Sequence, residues 1–276
     1  MKIKLFLSVF LVLLLQSADV FADVSIQSPG RTVEAVIGVD DAGRLGYALT
    51  RPGGAVVDRS PMGVTVDGAD LGLGVSLGEP EWSYVDVTHP ARGVHSVAVD
   101  RHTGAKIPVK HAGSGTEYFL EFRVYDDGAA YRYVIPGAGK RKVSGEASAW
   151  RLPAGCEIWY QTNLNNYEGE FHKVKAEKVD AGDRLGLPVT VELPGGGYAA
   201  LTEGALFNYS GMSLKAMGDN TFAAEFVDDP GGWTLEGEIS TPWLITIAVD
   251  DLNALVISDI IANVNEPPAP ELADAD

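Results

Sequence analysis

The sequence predicts an all-β fold, a large antiparallel β-sandwich, and three observations lead to that prediction. Short stretches of alternating apolar and polar residues recur along the chain, interrupted about every 8–12 residues by Gly, Asp, Pro or Asn. Helical periodicity is absent from the pattern. The 46% of hydrophobic residues and the 32 glycines among 276 residues are typical of a globular chain, which excludes collagen, coiled coil and intrinsic disorder. Such strands must bury one face of each sheet against another sheet.

The first 22 residues are typical of a secretory signal peptide. Lys2 and Lys4 precede an apolar run at residues 5–15, and small residues occupy the recognition positions before a cleavage site after Ala22. The run is too short for a membrane helix, which needs about 20 apolar residues, and no later stretch reaches that length. We therefore expect an exported protein, secreted or periplasmic, that begins at Asp23 and does not associate with a membrane.

The clearest hairpin lies at residues 117–135. Apolar residues at positions 118, 120, 122 and 124 share one face of a strand, and Asp126, Asp127 and Gly128 supply the turn, since glycine can adopt a positive φ. An earlier hairpin joins residues 32–39 to residues 44–50. Further strands are predicted at residues 82–87, 94–99, 189–193, 223–227, 243–249 and 255–257.

No change in composition marks a second domain, so residues 23–266 are assigned to one sandwich. Residues 267–276 combine prolines with acidic residues and are predicted to form an extended, polyproline-like tail. The formal charge of -17 repels a phosphate backbone, which makes nucleic acid an unsuitable partner. Cys156 is the only cysteine, so no intrachain disulfide can form, and we expect it to be a buried apolar residue.

Several common site patterns are absent from the sequence. It has no phosphate-binding glycine loop with Lys-Ser/Thr, no paired cysteines at zinc-binding spacing and no Gly-x-Ser-x-Gly motif. Its paired aspartates lack the spacing of a calcium-binding EF-hand and fit turn chemistry instead.

The segment YQTNLNNYEGEFH at residues 160–172 is the best candidate site. On an extended backbone Glu168, Glu170 and His172 would share one face, about 7 Å apart. The carboxylate oxygens of the two glutamates suit a hard cation such as calcium. Amide side chains such as that of Asn166 suit sugar hydroxyls. A solvated strand face remains the alternative. Two carboxylates on one strand make a poor pair for glycoside cleavage, which needs carboxyls on both sides of the bond.

The five tryptophans could include a platform for stacking on a sugar ring, although core packing is the usual role of such residues. Trp233 follows a Pro-Gly-Gly turn and is therefore predicted to be the best candidate for an exposed tryptophan.

At this point the sequence resembles the amino-terminal domain of glycoside hydrolase family 97. The resemblance covers nearly the whole chain after residue 22, in matching order and spacing. It rests on SPGRTV at 28–33, DDAGRLGY at 40–47, FRVYDDGAAYRY at 122–133, LTEGA at 201–205, YSGM at 209–212, TPW at 241–243 and NVNEP at 263–267.

The resemblance implies a β-super-sandwich like that of galactose mutarotases, which in the family precedes a catalytic (β/α)₈ barrel. Family members are exported α-glucosidases or α-galactosidases that use calcium, and the amino-terminal domain contributes one glutamate to the calcium site. The resemblance assigns that role to Glu168, with Glu170 as the alternative. Carbohydrate contacts are then expected from Asn166, Glu170 and Trp233.

Only nine residues follow Pro267, where the family's chain passes into its barrel. We therefore expect a carbohydrate-associated sandwich that binds an α-glucoside or α-galactoside, or that completes a calcium-dependent site on a separately encoded barrel. Such a chain would not hydrolyse glycosides alone, because one glutamate cannot both transfer protons and act as a nucleophile or activate water. Two alternatives stay open: a remnant of a truncated α-glucosidase, or a mutarotase-like epimerase. The epimerase would draw its histidine from His95, His102, His111 and His172.

Overall fold

The computed structural model describes residues 23–166 and 168–266. The first half of the chain forms strands β1 Val24–Gln27, β2 Glu34–Val39, β3 Leu45–Arg51, β4 Gly54–Pro61, β5 Val64–Val66, β6 Ala69–Asp70, β7 Val75–Leu77, β8 Glu81–Pro90, β9 Val97–His111, β10 Glu117–Tyr125, β11 Gly128–Ile135 and β12 Lys140–Glu146. The second half forms β13 Ala149–Arg151, β14 Glu157–Tyr160, β15 His172–Lys175, β16 Arg184–Leu185, β17 Val189–Glu192, β18 Tyr198–Gly204, β19 Ser213–Gly218, β20 Thr221–Glu225, β21 Trp233–Glu236, β22 Ile239–Ser240 and β23 Trp243–Val249. The helices are a 3₁₀ turn at Ala176–Lys178, α1 Leu252–Val256 and α2 Ile260–Val264.

The strands form three antiparallel sheets. The large sheet has 11 strands, in the order β15-β14-β17-β18-β23-β11-β10-β9-β7 with β22 beside β11 and β8 beside β9. A second sheet has 8 strands, in the order β1-β2-β3-β4-β13-β20-β19-β16, and a small sheet has 4, in the order β21-β12-β5-β6. The predicted all-β sandwich is thus confirmed, and the small sheet is an addition to it.

The main core lies between the two larger sheets. Tyr47 of β3 packs on Tyr131 of β11 with ring centroids 5.1 Å apart. Trp150 of β13 donates from Nε1 to Thr246 Oγ1 of β23 at 2.9 Å, so a hydrogen bond also joins the layers. Burial of large apolar side chains from both sheets is the dominant stabilising contribution of such a core. Cys156 is fully buried in it, as predicted, and burial raises the pKa of its thiol to about 12.

The outer face of the large sheet carries a second apolar cluster, because α1 and α2 cover it. Ile260 and Val264 of α2 pack there with Trp243, Ile245 and Ile247 of β23. Both faces of β23 are therefore buried, which explains why its sequence WLITIAV is apolar throughout instead of alternating.

Both predicted hairpins and most predicted strands are confirmed, with two exceptions. The strand predicted at residues 94–99 begins only at Val97. Residues 255–257 lie in α1 and the turn after it, and the prediction of a strand there is wrong. The Asp251 side chain begins α1 by accepting a hydrogen bond from the Ala254 amide at 2.9 Å. A five-residue helix is too short to give a helical period in the sequence.

The signal peptide predicted at residues 1–22 and the tail predicted at 267–276 lie outside the described residues. Within the described part of the chain, no helix is long and apolar enough to cross a bilayer.

Candidate functional site

The predicted site lies in the loop between β14 and β15, which the structure describes at residues 161–166 and 168–171. Asn166, Glu168 and Glu170 are exposed in this loop, and the strand begins only at His172. Of the three alternating side chains, His172 therefore lies on a strand, while Glu168 and Glu170 lie in the loop before it. Just before them, Asn166 Oδ1 accepts a hydrogen bond from the Glu168 amide at 3.1 Å, a contact typical of an Asx turn.

The carboxylates of Glu168 and Glu170 accept no hydrogen bond and join no ion pair from the described residues. Their oxygen donors fit a hard cation such as calcium, which prefers six to eight oxygen ligands. Among the described residues, however, no group of three or more His, Cys, Asp or Glu side chains could hold a metal ion. A calcium ion at Glu168 would therefore need most of its ligands from elsewhere.

The base of this loop is fixed by Gln161, which the sequence reasoning did not single out. Its side chain is 1% exposed, and neither Oε1 nor Nε2 has a hydrogen-bond partner among the described residues. The amide packs against Gly169 and Gly186, where any larger side chain would collide with it. The Gln161 main-chain oxygen also accepts a hydrogen bond from the Gly186 amide at 2.8 Å. The only sequence signal was the position of Gln161 at the start of an amide-rich run.

The end of the large sheet that carries this loop also carries the last described residues. Strand β14 pairs with β17, and β17 with β18, so β14 and β18 are about 10 Å apart. The Ala205 amide, just after β18, donates to Asn265 Oδ1 at 3.1 Å. We call this region the loop end. The loop end consists of the loop that follows β14 and the loop that follows β18. Phe171, Leu206 and Phe207 in these loops are exposed apolar side chains.

Trp233 is not the most exposed tryptophan, contrary to the prediction. It is half-buried, with its ring centroid 4.7 Å from that of Tyr209 and 5.1 Å from that of Phe226. Trp82 and Trp159 are 55% and 38% exposed. The Pro-Gly-Gly turn indicated a reversal of the chain correctly, but the ring at the start of β21 turns inward onto two aromatic neighbours.

Of the four histidines considered for an epimerase, His102 lines a cleft. Its Nδ1 lies 2.6 Å from Asp100 Oδ1, on the wall of a cleft of about 390 Å³ that Lys106, Glu121 and Arg123 also line. Burial lowers the pKa of the His102 imidazole, although Asp100 opposes this shift. The other three lie elsewhere: His95 against Asp259, His111 against Ser114, and His172 exposed at the start of β15.

Comparison with known proteins identifies related sequences and folds. The family model described as Glycosyl-hydrolase 97 N-terminal matches residues 26–267. The chain is 31% identical over 227 residues to a probable retaining alpha-galactosidase of Streptomyces bingchenggensis, covering 81% of this chain and 33% of the relative. It is 27% identical over 226 residues to a retaining alpha-galactosidase of Bacteroides thetaiotaomicron, covering 77% and 33%. It therefore spans about a third of the length of these relatives.

Solved structures share the fold. A Glycoside Hydrolase Family 97 enzyme from Pseudoalteromonas sp. strain K8, in complex with acarbose, superposes with a TM-score of 0.81 at 21% identity, covering 88% of this chain and 38% of that one. A β-arabinopyranosidase superposes with a TM-score of 0.76 at 17% identity, covering 83% and 40%.

Proposed function

The chain belongs to the glycosyl-hydrolase 97 N-terminal family, and we propose that it is the carbohydrate-associated, non-catalytic domain of an exported α-glycosidase. In this role it docks on a catalytic barrel and contributes Glu168 to a calcium site that the barrel completes. The named relatives, both α-galactosidases of about three times the matched length, support this assignment. The substrate class is accordingly an α-galactoside or α-glucoside.

The observation that carries the proposal is the arrangement of the loop end. The loop with Glu168 and the segment with Asn265 lie at the same end of the large sheet, separated by about two strand spacings. A barrel docked at this end would face Glu168 directly, whether it follows in the same chain or is a separate protein. Phe171, Leu206 and Phe207 give this end exposed apolar surface, which in soluble proteins marks contact sites when it is contiguous.

Within this composite site the described residues have distinct roles. Glu168 provides a carboxylate ligand for calcium, while Asn166 and Glu170 offer hydrogen bonds to sugar hydroxyls. A bound calcium ion would place positive charge beside the sugar oxygens and polarise them. Gln161 keeps the loop in place from below. The loop carboxylates are close neighbours on one segment, so they cannot flank a glycosidic bond, and the chain alone should not hydrolyse glycosides.

A chimera tests this proposal. Residues 23–266 replace the matching part of the Streptomyces relative, and hydrolysis of an aryl α-galactoside and an aryl α-glucoside is measured with calcium and with a chelator. We expect calcium-dependent hydrolysis by the chimera and none by the chain alone. The change Glu168→Gln should lower the chimera's kcat/KM about 100-fold, a loss typical of removing an interaction at a metal centre.

The matched control is Glu177→Gln in the 3₁₀ turn, an exposed glutamate that should leave hydrolysis unchanged. A folded chimera that hydrolyses neither substrate contradicts the domain assignment. Full activity of the Glu168→Gln chimera contradicts the role of Glu168.

Export is part of the proposal, because residues 1–22 have the order of a signal peptide. Expression of the full chain in a bacterial host followed by amino-terminal sequencing should give a protein that begins at Asp23 in the periplasm or medium. A cytoplasmic protein that retains Met1 contradicts export.

A second candidate, a mutarotase-like epimerase, is favoured by one observation: the Asp100–His102 pair shares a cleft with Glu121. No described residue forms a hydrogen bond to His102 Nε2, so this nitrogen could exchange a proton with a sugar. Polarimetry of freshly dissolved glucose and galactose decides. A rate above the uncatalysed one that His102→Gln abolishes supports the epimerase, and an uncatalysed rate eliminates it.

A further inference from the structure

Strand β8 forms an open edge of the large sheet. It pairs with β9 along its whole length, Glu81–Pro90, and no described strand pairs with its other side. Most of its side chains are exposed, among them Trp82, Tyr84 and Val87 at 55%, 61% and 54%. A long edge strand with exposed apolar side chains is a template for pairing with another strand.

Other sheet edges carry the usual protection against such pairing. Strand β15, at the opposite edge of the large sheet, has four residues, of which Lys173 and Lys175 are basic. The edge strands of the second sheet, β1 and β16, have four and two residues. Strand β8 has 10 residues, and between Glu81 and His89 it contains no lysine, proline or bulge. It therefore lacks the features by which natural proteins block an edge.

The pairing of β8 with β9 determines which of its main-chain groups face solvent. The Ala91 amide donates to the Ser96 main-chain oxygen at 2.9 Å, and this pair continues the unshifted register of β8 and β9. In an antiparallel ladder, hydrogen-bonded pairs alternate with pairs that are not bonded. The bonds to β9 therefore come from residues 81, 83, 85, 87 and 89. The main-chain groups that point away from the sheet are those of residues 82, 84, 86 and 88.

The sequence of β8 is complementary to itself in one antiparallel register. Pro80 and Pro90 flank the strand, and Val85 lies midway between them. A twofold axis at Val85 places Tyr84 opposite Asp86 of a second copy, and residue 82 opposite residue 88. Each of the four outward residues then exchanges both main-chain hydrogen bonds with its opposite residue, and both prolines lie outside this ladder.

The side chains that meet in this register are also complementary. The Tyr84 hydroxyl donates to Asp86 Oδ2 of its own strand at 3.2 Å, and the register brings the same two groups together between copies. On the other face of the strand, the acidic Glu81 lies opposite His89 of the second copy. Cross-strand pairs of this kind stabilise an antiparallel sheet.

The neighbouring registers are less favourable. An axis at Asp86 opposes two carboxylates and sets Trp82 against Pro90, which has no N–H. An axis at Tyr84 sets Thr88 against Pro80, with a similar loss of a hydrogen bond. An axis between two residues would set outward main-chain groups against groups that already bond to β9.

We propose that two copies of this chain associate through β8, edge to edge and antiparallel, about a twofold axis at Val85, so that their large sheets become one continuous sheet. The tail at residues 267–276 is a poor occupant of this edge, because its three prolines lack the N–H of a ladder and its acidic residues would meet Glu81 and Asp86. The loop with Glu168 lies beyond β14, toward the other edge of the sheet, so the inference does not rest on the proposed function.

Sedimentation velocity of the purified chain at increasing concentration tests the proposal. The interface is small, so we expect a weak monomer–dimer equilibrium in which the dimer fraction rises with concentration. Salt should increase this fraction, because the formal charge of -17 makes the copies repel each other and salt screens the repulsion. A chain that stays monomeric up to about 1 mM would overturn the proposal, since its dissociation constant would then exceed the millimolar range.

Asp86→Pro and Asp86→Ala form a matched pair of variants. Both remove the carboxylate, but only proline removes the outward N–H, which β8 does not use in its bonds to β9. The dimer of Asp86→Pro should dissociate about 10-fold more readily than that of Asp86→Ala, because two hydrogen bonds are lost per dimer. Circular dichroism checks that both variants are folded. Equal dissociation constants in the two folded variants would overturn edge pairing.

A cysteine on the axis tests the register independently of the proline variant. Directly opposed residues of a non-hydrogen-bonded pair have Cα atoms about 4.5 Å apart, which fits a disulfide. Val85→Cys should therefore form a disulfide-linked dimer with oxidised glutathione. Val87→Cys is the matched control and should not, because the two copies of residue 87 lie about 13 Å apart along the strands and the native Cys156 is buried. Cross-linking of Val87→Cys as fast as that of Val85→Cys would overturn the register.

Discussion

Two pairs of glutamates lie near the same end of the large sheet, and their surroundings differ. Glu168 and Glu170 are exposed on a loop shaped by Asx turns, and no described residue pairs with their carboxylates. Glu146 and Glu203 lie beneath the adjacent loop, where burial raises the pKa of each to about 7. An exposed carboxylate can take up a cation at little desolvation cost, whereas a buried one retains its proton to higher pH and can then donate a hydrogen bond as well as accept one. The same residue type therefore stands in two different chemical environments a short distance apart.

The largest effect is expected on the free energy of unfolding, when an aromatic residue of each region is replaced by alanine. Glu146 accepts a hydrogen bond from the Tyr209 hydroxyl, and Phe226 packs on Tyr209 and Trp233; we call these four residues the Glu146 cluster. Phe226 in this cluster is 7% exposed, and Phe207 at the loop end is 63% exposed. Phe226→Ala should lower the free energy of unfolding by about 3–5 kcal/mol, because it removes buried surface and leaves a cavity. Phe207→Ala should change it by less than about 0.5 kcal/mol. Urea unfolding of both variants is the measurement, and equal losses would erase the contrast.

The second prediction concerns pH. Burial raises the pKa of Glu146 to about 7, above the ordinary 4.5 of a glutamate in an unfolded chain, so the folded state binds more protons between these two pH values. Its contribution to stability is therefore fully present below pH 4.5 and is lost as the pH rises toward 7. Glu146→Gln removes this dependence. At pH 7.5 the variant should exceed the wild type by on the order of 3 kcal/mol, and at pH 4.5 the two should agree.

Other groups also change the pH dependence, so the difference between the two proteins is the quantity to measure. Burial raises the pKa of Glu203 and of Asp127, which act in the same direction as Glu146. Burial lowers the pKa of His102, which removes stability as the pH falls below about 6.5. The contributions of Asp127 and His102 are common to wild type and variant and cancel in the difference, whereas that of Glu203 cancels only in part, because its carboxyl interacts with that of Glu146. Parallel curves of melting temperature from pH 4.5 to 7.5 would contradict a buried, protonated Glu146.

The strands of this fold could be predicted from sequence because their signal is local. The alternation in β10 and the Asp126-Asp127-Gly128 turn specify a hairpin without reference to the rest of the chain. Glu168 could be named from the sequence because it lies in a run that resembles the family's sequence, and its role as a calcium ligand stays a prediction. The Glu146 cluster could not be predicted from the sequence. Its members come from separate segments between residues 146 and 233, and only the fold brings these segments together. A lone glutamate at a strand end carries no sequence signal that its carboxylate is buried.

A third, smaller effect on stability is expected at Gln161. This residue belongs to the exposed loop, but its side-chain amide is buried and has no hydrogen-bond partner among the described residues. Leucine removes the desolvated polar atoms at similar size, so Gln161→Leu should raise the free energy of unfolding by about 1 kcal/mol. Asn165→Ala, an exposed amide of the same loop, serves as control and should have little effect. A loss of stability in Gln161→Leu would instead show that the amide has a partner, such as an ordered water.

The smallest effect on stability is expected for Glu168→Gln, measured in the chain alone. Because its carboxylate is exposed and unpaired, Glu168→Gln should change the free energy of unfolding by less than about 0.5 kcal/mol. Millimolar calcium should stabilise neither protein, since the stabilisation by a ligand depends on its affinity for the folded chain and the described side chains supply only part of a coordination sphere. Thermal unfolding with calcium, with magnesium and with a chelator measures this. A rise of several degrees that is specific to calcium and vanishes in Glu168→Gln would reveal a complete local site, with main-chain and amide oxygens of the loop as the missing ligands. The exposed pair of glutamates would then need no second domain, and the proposed dependence on a barrel would be wrong.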